Sequence, residues 1–237
     1  MSLAKWHIAV LIPARDEEQL LPRCLRSVLE ACRRLPHGVT SDIVIVVDRS
    51  TDSTREIAKD LIQHKGVVIE TNAGSVGSSR ALAAKIALRR YKGTRERCWL
   101  ANTDADCEVP PDWLIRQISI AECGYAAVAG IIDVDTFAEH DASVPHLFRL
   151  TYLIHTDGTH PHVHGANLGV RADAYLESGG WSHLLTAEDH DLWRRLLRGK
   201  HRRSSTASLR VVTSGRRTGR APQGFADALA AHDGAIG

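Results

Sequence analysis

The chain is poor in features that mark several common classes of protein. Its cysteines are five, Cys24, Cys32, Cys98, Cys107 and Cys123, with no Cys-x-x-Cys pair. A zinc ribbon, a redox dithiol and a disulfide framework are not indicated, and a reducing cytoplasm is the expected setting. No apolar run approaches the ~18 residues of a membrane span. The opening stretch "WHIAVLIPA" lacks the basic region and long apolar core of a signal peptide. A soluble cytoplasmic protein is expected, with contact at a membrane surface left open. Aromatics make up 5% of the chain, and near its basic segment only Trp193 and Phe225 occur. Single-stranded nucleic acid needs stacking platforms beside a cationic groove, so a nucleic-acid-binding module is disfavoured. The loop with Gly74 and Gly77 lacks the Gly-Lys-Ser/Thr ending of a P-loop.

One absence is local. From Arg194 to Arg220 there are ten Lys or Arg and no Asp or Glu, although the net charge of the whole chain is only +2. Such a stretch attracts anions. It ends in "TSGRRTGR", where Gly215 and Gly219 give freedom to Arg216, Arg217 and Arg220. Guanidinium groups grip phosphate oxygens bidentately. The segment is expected to be a mobile loop that closes over a diphosphate. A solvated basic surface is the alternative.

What is present is an alternation of strand and helix. "IAVLIP", "DIVIVVD", "VVIE" and "CWLAN" are short unbroken apolar runs, each too short for a helix. After the first three come amphipathic stretches, beginning at Leu21, near Ser53 and near Ser75; Pro22 suits a first helical turn. Repeated strand–helix units predict an α/β fold with a mostly parallel sheet covered on both faces. The second half is less regular. A strand over "YAAVAGIIDVD", a helix over 137–155, strand and turn over "HVHGANLGVR", a helix over "AEDHDLWRRLLRG" with Leu192, Trp193, Leu196 and Leu197 inward, a last strand over "SLRVVTSGRR" and a closing helix over "GFADALAAH" are predicted. No linker divides the chain. A single domain is expected, with a nucleotide-binding half over about 1–107 and an acceptor half over about 108–237.

In such sheets ligands bind beyond the carboxyl ends of the strands. Three polar clusters fall there: "ARDEE", "DRSTD" and "TDAD". Side chains at i and i+2 of an extended segment point the same way, so Asp104 and Asp106 aim at one point. Two carboxylates so close repel unless a cation lies between them, and hard oxygen ligands suit Mg²⁺ or Mn²⁺. Asp133 and Asp135 have the same spacing after another apolar run, so spacing alone does not choose the pair.

The order of the pieces is more informative. "IPARDEE", "VVDRSTDST", "GSVGSSRALAA", "TDAD", "GANLGVRADAYLESGGW" and "AEDHDLWRRLL" together closely resemble the family 2 glycosyltransferases of the GT-A fold, over residues 6 to about 220. The resemblance implies a nucleotide-sugar donor and a divalent cation. It implies that Pro13, Ala14, Arg15 and Glu17 line a nucleotide pocket, that Asp48 accepts a hydrogen bond from the base, usually uracil, and that Arg80 lies near the ribose and phosphates. Asp104-Ala105-Asp106 corresponds to the metal-binding Asp-x-Asp, with Asp106 the more direct ligand. Asn167, with Gly165, falls where the family holds sugar or acceptor groups, beside Glu188. Asp189 corresponds to the catalytic base, with Asp191 its nearby substitute.

The sequence departs from the family at two places. Val47-Asp48-Arg49 stands where paired aspartates and a glycine are usual, and Thr213 and Ser214 stand where many relatives have a metal-binding histidine. Local readings compete too. Thr186-Ala187-Glu188-Asp189 is also a capping-box-like helix start, in which Asp189 only satisfies a backbone N–H. His155, His160, His162 and His164 form a loop cluster that is either solvated, in contact with an acceptor or, less simply, a zinc site. A sugar nucleotidyltransferase is the enzymatic alternative, but its glycine-rich loop after the first strand is missing from "PARDEE". The acceptor (lipid, small molecule or glycan) and the oligomeric state are not legible.

Overall fold

The computed structural model describes residues 6–220 and 224–234. Strand β1 (His7–Ala14) leads through Asp16–Glu17 into helix α1 (Leu21–Arg33), where Pro22 occupies the first turn. β2 (Thr40–Asp48), α2 (Thr54–Ile62), β3 (Gly66–Thr71), α3 (Val76–Arg90) and β4 (Cys98–Asn102) follow in the predicted alternation. The Ser75 hydroxyl caps α3 by accepting from Ser78 N. The second half adds α4 (Trp113–Glu122), β5 (Ala127–Val134), α5 (Val144–Thr151), β6 (Leu168–Arg171), α6 (Ala172–Glu177), α7 (Glu188–Arg198), β7 (Arg203–Thr213) and α8 (Phe225–Ala230).

The strands form a seven-stranded sheet in the order β3-β2-β1-β4-β6-β5-β7. β6 pairs antiparallel with both β4 and β5, whereas the pairings of β1, β2, β3 and β4 and that of β5 with β7 are parallel. β6 therefore begins at the edge where the other strands end. Alternate residues of β1 serve opposite cores. Ile8, Val10 and Ile12 pack with α1, α2 and α4, while Ala9 and Leu11 pack with α3, α6 and α7. Burial on both faces is why these strands appear in the sequence as continuous apolar runs.

Two expectations need correction. The helix predicted over 137–155 is confined to Val144–Thr151. Upstream, the backbone N–H of Asp141 is taken by Asp233 Oδ1 and that of Ala138 by Thr136 Oγ1, and Pro145 suits only a first turn. On α7, Leu192 and Leu196 are buried as expected, but Leu197 is 59% exposed. Trp193 lies half-buried beneath the Arg203 guanidinium.

Asn167 fastens the second half together. Its Oδ1 accepts from Trp113 Nε1 at 3.0 Å, and its Nδ2 donates to Ile131 O at 2.8 Å and Leu209 O at 2.9 Å. A Cβ on Gly130 would lie 2.2 Å from that Nδ2, so the strand must carry glycine there for the amide to fit. Asn167 is fully buried with these partners. Its amide is turned to these protein groups rather than to the cleft. Asn167→Ala should lower unfolding free energy by roughly 3 kcal/mol or more, because each buried partner left unpaired costs ~1–3 kcal/mol. Urea unfolding measures it; a near-normal midpoint with lost activity would return Asn167 to the ligand.

Candidate active site

β4 ends in a tight turn that holds Asp104, Ala105 and Asp106. Thr103 N continues the ladder to Leu11 O, and Cys107 N then closes the turn on Asp104 O at 3.1 Å. α1 fixes this turn from one side. The Cys24 thiol donates to Asp104 O, and Arg23 Nη2 donates to Asp106 O. A two-way backbone bridge between Glu108 and Val212 ties it to β7. The two carboxylates and the Cys107 sulfur have ligand atoms within 4.8 Å of one another, and among the described residues no other such trio of metal-ligating side chains occurs.

The donor set suits a hard cation. Burial pushes the Cys107 thiol well above its ordinary range, so it stays protonated, and it donates toward Asp106 Oδ1. The oxygens of Asp104 and Asp106 are then the available ligands, which fits Mg²⁺ or Mn²⁺ better than zinc. The second aspartate pair is otherwise employed. Asp133 holds Arg210 at 2.7 Å, while Asp135 holds Arg23 at 2.7 Å and accepts from Gly215 N at 2.9 Å. Position in the cleft at the carboxyl edge, not spacing, separates the two pairs.

Two arginines balance the acidic turn. Arg80, 2% exposed, comes from behind: Nη2 donates to Asp104 Oδ1 at 2.5 Å and Nε to Glu188 Oε1 at 3.2 Å. Its guanidinium lies 5.5 Å from the Trp181 ring and against Gly165, where a Cβ would meet Nη2 at 2.4 Å. Burial lowers its pKa, and the fields of Asp104 and Glu188 outweigh that and raise it. Arg80 therefore does not line the cleft where ribose and phosphates were expected; it positions Asp104. Burial raises the Glu188 carboxyl, with Arg80 acting against it. Arg216 comes from the front. It makes two hydrogen bonds to Glu17, at 2.9 and 2.7 Å, and approaches Asp106 Oδ2 at 2.9 Å.

These groups border an open cleft of about 600 Å³. Pro13, Ala14, Arg15 and Glu17 line it from β1, Asp48 from β2, and Asp104, Ala105 and Asp106 from β4. Thus the three polar clusters converge as their strand ends require. Arg216 and Arg220 line it too, with Thr213 and Ser214. The sequence gave no sign of three further walls, namely Gly74–Ser75, the exposed Leu185, and Phe225 at the start of α8. Both Asp48 oxygens accept from Gly74 N, at 2.9 and 3.1 Å, and Gly74 has a positive φ of 76°. Arg49 turns from the cleft: its Nη2 donates to Asn72 O at 3.0 Å.

The basic segment is not held open by a lack of carboxylates, because distant elements supply them. Besides the Glu17 clamp on Arg216, Arg217 N donates to Glu139 and its guanidinium pairs with Asp233 at 3.2 Å; Arg220 donates to Asp16 O.

Asp189 lies one residue beyond Glu188. Its Oδ2 accepts from Gly165 N at 2.8 Å and its Oδ1 from His190 N at 2.7 Å. The predicted capping box is absent: Ala187 is the N-cap residue, at φ 59°, and no side chain caps α7. Asp191 is engaged elsewhere: it accepts from Ser182 Oγ at 2.6 Å and pairs with Arg195 at 2.8 Å. The histidines stack. His160, His162 and His164 follow one another at 5.8 and 5.9 Å, with Tyr152 at 3.9 Å from His162. Burial lowers His164 to about 3, and its Nε2 hydrogen-bonds the Tyr152 hydroxyl at 2.9 Å. The cluster is an aromatic stack.

Burial raises Asp106 to about 6, Arg216 opposing and Asp104 and Glu17 adding to the rise. A carboxyl whose folded value exceeds its ordinary 3.8 holds its proton more tightly in the fold. Its stabilising contribution is complete below that ordinary value and is lost as pH rises through about 6. With divalent cations chelated, Asp106→Asn should therefore gain stability relative to the unsubstituted chain between about pH 4 and pH 7, by urea unfolding. A constant difference across that range would show that Arg216 fully offsets the burial.

Comparisons with known proteins address the family and the fold. Transferases named undecaprenyl-phosphate 4-deoxy-4-formamido-L-arabinose transferase align with the chain. The one from Pseudomonas savastanoi pv. phaseolicola is 29% identical over 129 residues, covering 52% of this chain and 35% of that protein. The chain thus matches about a third of the length of these curated relatives. Among solved structures, S. aureus TarS 1-349 in complex with UDP superposes with a TM-score of 0.64 at 14% identity, covering 89% of this chain and 61% of that one. Mannosyltransferase PcManGT from Pyrobaculum calidifontis, in complex with GDP-Man and Mn2+, gives 0.66 at 19%, covering 95% and 68%. These structural likenesses establish a shared fold of the GT-A glycosyltransferase type. No helix among the described residues is long and apolar enough to cross a membrane. The family described as Glycosyl transferase family 2 matches residues 9–179, and the chain belongs to it.

Proposed function

We propose that the chain transfers a sugar from a nucleoside-diphosphate sugar to an acceptor hydroxyl, using Mg²⁺ or Mn²⁺ held by Asp106 and Asp104. The observation that carries this reading is the convergence of that pair with Asp48 and with Arg216 and Arg220 on one cleft. Such a cleft offers a carboxylate for a base, carboxylates for a cation and guanidinium groups for phosphates. The bound ion would neutralise charge on the departing diphosphate. The solved relatives bound to UDP, and to GDP-Man with Mn2+, support the same donor class.

The chain's own residues have these roles. Asp48 keeps lone pairs beyond those turned to Gly74 N, because a carboxylate has about four acceptor sites, and accepts the N–H of the base. Arg49 is directed elsewhere, so uracil remains the base of choice and UDP should bind more tightly than GDP. Asp189, oriented by Gly165 N and His190 N, takes the proton of the acceptor hydroxyl. Arg80 keeps Asp104 in register with Glu188, which joins the donor side of the site to the acceptor side.

Asp106→Ala should abolish cation-dependent UDP binding in calorimetry, while Asp133→Ala leaves it nearly intact; equal losses would show that the wrong pair has been chosen. Tighter GDP than UDP binding in the same experiment would overturn the base assignment.

Asp189→Asn should lower turnover by roughly 10²-fold or more with little change in donor affinity. A loss of only a few-fold would instead indicate an acceptor already ionised at neutral pH, such as the lipid phosphate in the names of the Pseudomonas relatives.

A further inference from the structure

Arg216 lies where three carboxylates converge. Its two terminal nitrogens satisfy both Glu17 oxygens, and Nη2 also reaches Asp106 Oδ2 at 2.9 Å. Burial pulls the guanidinium's pKa down, but Glu17, Asp106 and Asp104 outweigh that and raise it. A charge enclosed to this degree must be paired, and here every partner belongs to the donor cleft.

The backbone on either side is fixed. Gly215 N is held by Asp135 Oδ1 at 2.9 Å, and a Cβ at Gly215 would lie 1.8 Å from Thr136 O. Arg217 N is held by Glu139 Oε2 at 2.8 Å. The freedom that matters is therefore in the Arg216 side chain, which is 19% exposed at the cleft face, whereas Arg80 is sealed behind Asp104 at 2%.

Resting on the reading of the site given above, we propose that Arg216 is a built-in counter-cation of Glu17 and Asp106. A divalent cation displaces it, and the released guanidinium pairs with the donor diphosphate. The charges require this order. A divalent cation and a guanidinium compete for the same Asp106 oxygen and repel each other, so the cation alone binds weakly. A diphosphate arriving with the cation supplies a new partner for the displaced arginine. Thr213 and Ser214, in place of a metal-binding histidine, supply no further charge or imidazole to hold the ion by itself. Arg216 thus makes the site take cation and nucleotide together.

The test is a pair of binding titrations, independent of turnover. Free Mn²⁺ is followed by its electron paramagnetic resonance signal without nucleotide, and UDP binding is followed by calorimetry at saturating Mn²⁺. Arg216→Ala should bind Mn²⁺ alone roughly tenfold more tightly and UDP with Mn²⁺ roughly tenfold more weakly. Arg216→Gln, which keeps much of the side chain, should repeat both signs, and far-UV circular dichroism verifies that each variant is folded. Unchanged or weaker Mn²⁺ binding in the folded variants would overturn the displacement. Tighter Mn²⁺ binding with unaltered UDP binding would overturn the transfer of the guanidinium to the diphosphate. Asp106→Ala is the separate control: Mn²⁺ binding that survives it unchanged would overturn the cation site itself, and with it the proposed function.

Discussion

Repulsion among carboxylates is the constraint around which this site is built. Glu17, Asp104 and Asp106 are brought together at one edge of the sheet, with Glu188 behind them. At 4 Å and an effective dielectric near 20, two like charges repel by about 4 kcal/mol, a large share of a small domain's net stability. The fold meets this load in two ways. It neutralises, with Arg80 from behind and Arg216 from the front. It also fixes the turn through groups that do not depend on charge: the Cys24 thiol on Asp104 O and the Glu108–Val212 bridge. Carboxylates held in this way cannot relieve their repulsion by swinging into solvent. They keep an affinity for cations that a flexible acidic loop would lose.

The antiparallel strand gives the site its other half. Because β6 runs against its neighbours, its start lies at the same edge as the ends of β4 and β5. Gly165 and Asn167 immediately precede that start. Asn167 secures the segment to α4, β5 and β7, and Gly165 is then available to hold Asp189 through its backbone N–H. With no side chain, Gly165 also lets the Arg80 guanidinium approach. An all-parallel sheet would place the same loop at the opposite edge, far from the acidic turn.

The sequence displayed what depends on neighbouring residues and concealed what depends on distant ones. β1, β2 and β4 were legible because burial on both faces writes each strand as an apolar run. The pair Asp104 and Asp106 was legible only with the resemblance, since Asp133 and Asp135 have the same spacing; the difference is that the first pair lines the cleft, while the second is turned to Arg210 and Arg23, at sequence separations of 77 and 112. The same limit explains the misplaced roles. A family pattern identifies positions such as Arg80, Asn167 and Asp191 but not their partners. Those partners are Asp104 and Glu188, Trp113 and two carbonyls, and Arg195 and Ser182. Arg216 was recognised as a cation near the phosphates, whereas Glu17, 199 residues away, could not be read as its partner.

The two arginines differ in a way that decides what each can do. Arg80 is sealed on every side, by Asp104, Glu188, the Trp181 ring and the Gly165 backbone. Its charge is a permanent part of the fold, and moving it would strand the buried Glu188 carboxylate and release Asp104. Arg216 faces the cleft, and its partners are the carboxylates that a cation would claim. One arginine therefore sets the position of the acidic turn while the other sets its charge. A cleft in which only the front charge can exchange discriminates by net charge. A lone cation would take the Asp106 oxygen from Arg216, and a lone diphosphate would face the carboxylates of Asp104 and Asp106. Arriving together, each would bring the other a partner of opposite charge.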